Sequence, residues 1–517
     1  MLKLTALPTK FILLSIFVAY LQGCQQHRTS AKEIDLTELT IAQIHQDYKN
    51  GEYNSQDLVK TYLKRIAQHN DKINAISVVN NDALMIAAAL DKEFIQTGKL
   101  RPLHGIPILV KDNINTANLP TTAGSLALVD YIPNQNAFII QKLVDAGAIV
   151  LAKTNMAEWA FSPKHTESST SGITRNAYNQ DYVPAGSSGG TAAAIAANFA
   201  TVGLGTDTGN SIRGPSSHAA LVGLRTTIGL VSRSAIVPLF LRNDVVGPMA
   251  RTTEDAVRIL DVIAGYDEHD PITAHSDGKM PASYLSYLNE DGLSGARIGV
   301  LNQLSDDGLD PEILALFQQS LRDLQRLGAT IVDPVEIPNF DSLKANQWCA
   351  EFQQDVEQFL ATYVKSDTLE RLEDIIAVGS TSEFAKARLK ANLAASGRYG
   401  ESNVECGSAY SDPLRIAFRQ GIEKVMNDLN LDALIYPSWN NKAALISRFE
   451  EDYMGDNSQV ISPHTGQPAF TVPMGFTSEN LPTGLQFLGR MYNEPKLIQL
   501  IYAYEQGTKH RKPAELN

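Results

Sequence analysis

Short apolar runs alternating with longer helix-period stretches constrain this chain more than any other feature. Ile106–Val110, Ala148–Ala152, Thr201–Leu204, Arg297–Leu301 and Ala433–Tyr436 are four or five residues long, apolar and largely rich in β-branched side chains. Such runs read as strands buried on both faces, because a solvated face would impose alternation of polar and apolar residues. Between them, Ile41–Lys49, Ser55–Gln68, Asn81–Thr97 and Phe138–Ala146 repeat their apolar residues at helical period and end near a Gly, an Asn or a basic residue. Strands and helices in that order predict a layered α/β fold. The chain has 517 residues, 44% hydrophobic and 20% charged, which supplies a large core and excludes extensive disorder. No Pro- or Ser-rich linker interrupts it after residue 35, so residues 36–517 read as one domain, with a more helical, polar lobe at about 267–426.

The first residues read differently. Lys3 and Lys10 precede an apolar run, Phe11–Leu21, too short to span a bilayer, and the segment has the layout of an export signal. It ends in Leu21-Gln22-Gly23-Cys24, which resembles the bacterial lipobox, in which the cysteine is acylated and becomes the mature N-terminus. Residues 1–23 are expected to be a signal, Cys24 a lipidation site that attaches the protein to a membrane, and residues 24–35 a polar tether. Plain export and an uncleaved anchor are the alternatives, and each places the protein outside the cytoplasm. We read the remaining cysteines, Cys349 and Cys406, as two free, buried thiols, with pairing in an oxidising compartment as the alternative.

Charge and motif content then exclude whole classes of function. The formal charge is −13 and no basic stripe is present, which argues against a nucleic-acid partner. The sequence has no HExxH, paired CxxC or clustered His and carboxylate spacing, and no phosphate loop or dinucleotide fingerprint. Chemistry without a metal or cofactor is expected.

The stretch Val183–Arg213 carries the chemistry. Gly186-Ser187-Ser188-Gly189-Gly190 precedes an expected helix, Thr191–Asn198, and Gly205-Thr206-Asp207-Thr208-Gly209-Asn210-Ser211 follows an expected strand. Glycine permits unusual φ and lets backbone N–H groups approach a ligand closely, as stabilising an oxyanion requires. One such loop alone is as well explained as a helix cap. Two in succession are harder to explain structurally.

These residues closely resemble the amidase signature family. The family pairs a GGSSGGS-type loop with GTDTGGSIR about two dozen residues later, matched here by Ala185–Thr191 and Gly205–Arg213. Leu103–Asn113 resembles its lysine-bearing strand, and Gly229–Arg233, Gly247–Thr252, Gln467–Pro473 and Leu481–Arg490 resemble further segments. The resemblance spans about residues 36–511 and thins in the middle. It implies an α/β amidase signature fold, a large mixed β-sheet core covered by helices on both faces.

It also implies roles. Ser211 would be the nucleophile, and Ser187, held after a cis peptide bond, would relay its proton to Lys111. A serine hydroxyl needs an adjacent base, and a lysine serves only when neutral, which the apolar run Ile106–Val110 favours by desolvation. Asp112 need not cancel that shift, since neighbouring strand residues point to opposite faces. The backbone N–H groups of Thr208, Gly209, Asn210 and Ser211 would hold the oxyanion. Asn210 stands where the family usually has glycine; Asn tolerates positive φ, so the loop is expected to form with this side chain entering the pocket. Asp207 and Arg213 are read as structural supports, and His218 as a satisfied core or loop histidine.

Two rival readings remain. Gly186–Gly190 also satisfies G-x-S-x-G, which in α/β-hydrolases would make Ser188 the nucleophile of an esterase with His464 as its base, but the polar, proline-broken Asn179–Pro184 supplies no preceding strand. The second is a binding or scaffold protein that keeps the fold and lacks activity, with Asn210 as its only support. The favoured reading is an exported amidase that converts a small-molecule or peptide carboxamide to carboxylate plus ammonia or amine through an acyl-enzyme on Ser211.

Overall fold

Eleven strands of the computed structural model pair into one mixed sheet, and the residues described are 34–305, 308–395 and 406–516. The expected signal, Cys24 and the tether up to residue 33 lie outside the described residues. Leu36–Asn517 forms one compact unit.

In chain order the strands are β1 (Ile76–Val79), β2 (Pro107–Lys111), β3 (Ile149–Thr154), a two-stranded hairpin of β4 (Glu167–Ser168) and β5 (Gly172–Ile173), β6 (Val202–Asp207), β7 (Val222–Arg225), β8 (Val245–Ala250), β9 (Arg297–Leu301), β10 (Thr330–Val335), β11 (Ala433–Pro437), β12 (Ala469–Phe476) and β13 (Pro482–Leu488). The large sheet runs β1-β3-β2-β6-β8-β7-β12-β13-β11-β9-β10. β3, β2 and β6 are parallel neighbours, as are β11, β9 and β10, and antiparallel strands join the two groups.

All five expected strands form, and β2, β3, β6 and β11 are buried at every position. The expected helices form at Ile41–Asn50, Ser55–Ile73, Ala83–Thr97, Phe138–Asp145 and Gly189–Ala196. The second runs past Gln68 because buried Ile73 continues its apolar face across the polar residues His69–Lys72, and the left-handed residue Asn74 ends it.

The span 267–426 is not one helical lobe. β9 and β10 lie within it and join the main sheet, while the helices Phe352–Phe359, Leu372–Val378 and Glu383–Ala394 pack Phe352, Val356, Leu372 and Leu389 against Trp159, Phe161 and Phe240. This helical layer covers the end of the sheet where β2 and β6 finish.

Candidate active site

Parallel β2 and β6 bring Lys111 and Asp207, their last residues, to the same edge of the sheet. Lys111 is fully buried, with Nζ 2.7 Å from Ser187 Oγ, 2.8 Å from Thr206 Oγ1 and 3.4 Å from the Thr206 carbonyl. Burial pulls its pKa down to about 7, although Asp207 and Asp244 act in the opposite direction. The amine is thus neutral over an accessible pH range and can accept the Ser187 proton. Asp112 turns away from it, takes hydrogen bonds from Thr122 and Gly124, and faces the charge of Lys153.

Ser187 follows a cis peptide bond to Gly186. Its loop is tied down on several sides. Thr166 Oγ1 donates to the Ala185 carbonyl at 2.8 Å and accepts from Gly189 N at 3.2 Å, Ala157 N donates to the Ser187 carbonyl at 3.0 Å, and Gly186 N donates to the Pro163 carbonyl at 2.9 Å. Close approach, not unusual φ, explains these glycines: a Cβ on Gly186 would collide with the carbonyl oxygens of Ser162 and His165, and one on Gly190 with that of Asn155. The positive φ of the loop, 61°, falls instead on Ala185. Ser188 Oγ is buried and donates to the Thr206 carbonyl at 3.1 Å, while His464 packs edge-on against Trp348, so the hydrolase-type pairing of the two has no counterpart. Among the described residues no strand leads directly into the loop, since β5 ends at Ile173 and none follows before it.

The Ser211 loop hangs from Asp207. Asp207 Oδ2 accepts from Ile212 N and from Arg213 Nε, each at 3.1 Å, and Oδ1 accepts from Arg225 Nη1 at 2.8 Å. Burial alone would raise the pKa of this carboxyl; the two guanidinium groups hold it at about 2. Arg213 Nη2 also donates to the Gly209 carbonyl at 2.7 Å. Thr208 Oγ1 donates to Asp244 at 2.5 Å. The backbone at Asn210 stays out of the left-handed region, so the substitution of the family's glycine makes no conformational demand there. Its side chain instead bridges the two loops, Nδ2 donating to the Pro163 carbonyl at 3.2 Å and Oδ1 accepting from Ser211 Oγ at 3.3 Å. Among the described residues none accepts a hydrogen bond from the backbone N–H of Gly209, Asn210 or Ser211, which leaves these donors available to a ligand.

Those residues line a cleft of about 620 Å³, walled by Phe161, Leu239, Phe240, Trp348 and Phe384. Cys349, also on its wall, is disulfide-bonded to Cys406, with Cα atoms 6.1 Å apart. The reading of two free thiols is therefore corrected: helices between the two cysteines fold back and bring the ends of a 57-residue interval together, which spacing alone does not reveal. Lys111 and Ser187 are absent from the cleft lining and sit buried behind it.

His218 is buried against the Trp439 ring, centroids 4.8 Å apart, and burial holds its pKa at about 3. It is a core residue, though its ring nitrogens lack hydrogen-bond partners among the described residues. Sequence reasoning missed Thr206, Arg225 and Asp244. A signal existed for the last two: each is a charged residue abutting an apolar, strand-like run, Val222–Leu224 or Val245–Val246.

The amidase family model matches residues 57–498. The chain is 34% identical over 489 residues to a glutamyl-tRNA(Gln) amidotransferase component of Thermoanaerobacter pseudethanolicus, covering 92% of this chain and 98% of that one. Among solved structures it is similar to the peptide amidase of Stenotrophomonas maltophilia, at 37% identity and TM-score 0.78, covering 93% of this chain and 99% of that one. It is also similar to an amidase family protein of Bacillus anthracis, at 30% identity and TM-score 0.81, covering 98% and 97%. The chain belongs to the amidase signature family and is an amidase, a hydrolase of amide C–N bonds.

Proposed function

We propose that the protein is an exported amidase acting on peptide or small carboxamides through an acyl-enzyme on Ser211. The observation that carries the mechanism is the buried contact of 2.7 Å between Lys111 Nζ and Ser187 Oγ, directly behind the loop that presents Ser211 to the cleft. Ser211 Oγ attacks the carboxamide carbon while its proton passes to Ser187 and that of Ser187 to neutral Lys111. The carbonyl oxygen, now negative, takes hydrogen bonds from the unpartnered N–H groups of the 208–211 loop. Collapse returns the proton to the departing nitrogen and releases ammonia or amine, and water then cleaves the ester by the same relay. The buried Lys111–Ser187 contact favours this reading over an inactive scaffold, because a fold kept only for binding has no need of a buried amine held against a serine hydroxyl.

The likeness to a peptide amidase and an aromatic-walled cleft of about 620 Å³ favour a peptidyl or similar acyl group. Relatives of the glutamyl-tRNA(Gln) amidotransferase kind act on a charged tRNA, a substrate that suits neither the export signal nor the formal charge of −13. The signal with Cys24 and the Cys349–Cys406 disulfide support an oxidising compartment outside the cytoplasm, with the lipidated cysteine as membrane anchor.

The test is ammonia release from short aliphatic, aromatic, peptidyl and long-chain carboxamides by the enzyme and by Ser211→Ala. Release confined to the unsubstituted enzyme and strongest with peptidyl amides is expected. Equal release by both proteins would sink the assignment of Ser211.

A further inference from the structure

The cleft is apolar and aromatic over most of its wall, and among the described residues no Asp or Glu lines it. One charged side chain does. Arg388 reaches the lining from the helix Glu383–Ala394, the same helix that contributes Phe384 and Asn392. Near it Lys386 pairs with Glu383 at 2.6 Å and Arg371 with Glu373 at 2.9 Å, while Lys390 of the same helix has no ion pair among the described residues but does not line the cleft. Among the described residues no carboxylate pairs with Arg388, an exposed residue whose pKa is lowered by the partial desolvation that the cleft wall imposes. An unpaired guanidinium beside apolar walls gains most from an anion arriving with the ligand, and its planar fork of donors matches a carboxylate.

We propose that Arg388 is a specificity-determining residue that favours amides whose acyl portion carries a carboxylate, such as acidic peptidyl amides, over neutral and cationic ones. The inference rests on the reading of this cleft as the acyl site of Ser211. The leaving group in carboxamide hydrolysis is as small as ammonia, so the bulk of the cleft, Arg388 included, faces the acyl portion. Because the guanidinium is partly exposed, the preference is modest and screened by salt.

The experiment compares N-acetyl dipeptide amides that carry Glu, Gln or Lys at the amide-bearing residue or at the one before it. The Glu amide is expected to show a kcat/KM roughly five-fold above its Gln isostere at low ionic strength, with the Lys amide lowest and the difference shrinking at high salt. Arg388→Gln should bring the ratios close to one, and Arg388→Glu should turn the order toward the Lys amide. Binding of the same amides to Ser211→Ala reads the cleft without turnover, so the charge preference stays measurable even in an inert protein. Equal kcat/KM and equal binding across the three charges, or a Glu preference that survives Arg388→Gln, would overturn the role of Arg388. Turnover undiminished in Ser211→Ala would overturn the catalytic reading instead, so the two failures are distinguishable.

Discussion

An enclosed lysine holds its proton less tightly than a surface one, and Lys111, with its Nζ among Ser187 and Thr206 oxygens, has its pKa lowered by burial to about 7. Its neutral form is the one that accepts a proton. The sign is therefore fixed: kcat/KM should rise about tenfold per pH unit below about 7 and level off above it, and a profile that falls over that range would contradict Lys111 as base. Lys111→Met should remove activity together with this limb while leaving the fold intact, since an apolar side chain suits the buried position. The three catalytic candidates were legible at this scale because each lies in a motif of fixed spacing. Asn210 was legible as an oddity, but not its use: a side-chain bridge from Ser211 to the Pro163 carbonyl depends on a loop 47 positions away in sequence.

Elements place these residues. β6 ends in Asp207, and that carboxylate orders the turn behind it by binding Ile212 N and Arg213, while Arg225 reaches it from β7. All three side chains are fully buried. Asp207→Asn keeps the shape but leaves two guanidinium groups facing each other without an anion, so denaturant unfolding should show a loss of about 3 to 5 kcal/mol. A loss under about 1 kcal/mol would mean that the network contributes little. The strands β2, β3, β6, β9 and β11 were legible because each is an uninterrupted apolar run. β8, β12 and β13 were not read as strands because Gly247, Pro248, Pro473 and Gly484 look like turn residues, and β7 was passed over although its Gly223 has counterparts in Gly203 of β6 and Gly299 of β9. Tertiary structure gives these glycines another purpose: a Cβ on Gly223 or Gly484 would strike Ser216 or Ser217, and one on Gly247 the Leu224 carbonyl of the neighbouring strand.

For the whole molecule, the helices between β10 and β11 form the roof of the cleft, and the Cys349–Cys406 bond ties that roof across 57 residues. Loop-closure entropy for such an interval corresponds to about 4 kcal/mol, so reduction, or Cys349→Ser with Cys406→Ser, should lower the unfolding free energy by up to that amount. Unchanged unfolding in reductant would show that apolar packing alone secures the roof. The sequence by itself determined the layered α/β class, singled out Lys111, Ser187 and Ser211 as the catalytic candidates, and gave Asp207 and Arg213 supporting roles, because these depend on local period and on motifs of contiguous residues. Only the tertiary structure decided the middle of the sheet, the disulfide, the second guanidinium on Asp207 and the place of Arg388 in the cleft. Each of those is a contact between segments distant in the chain, which residue order does not encode until the chain has folded.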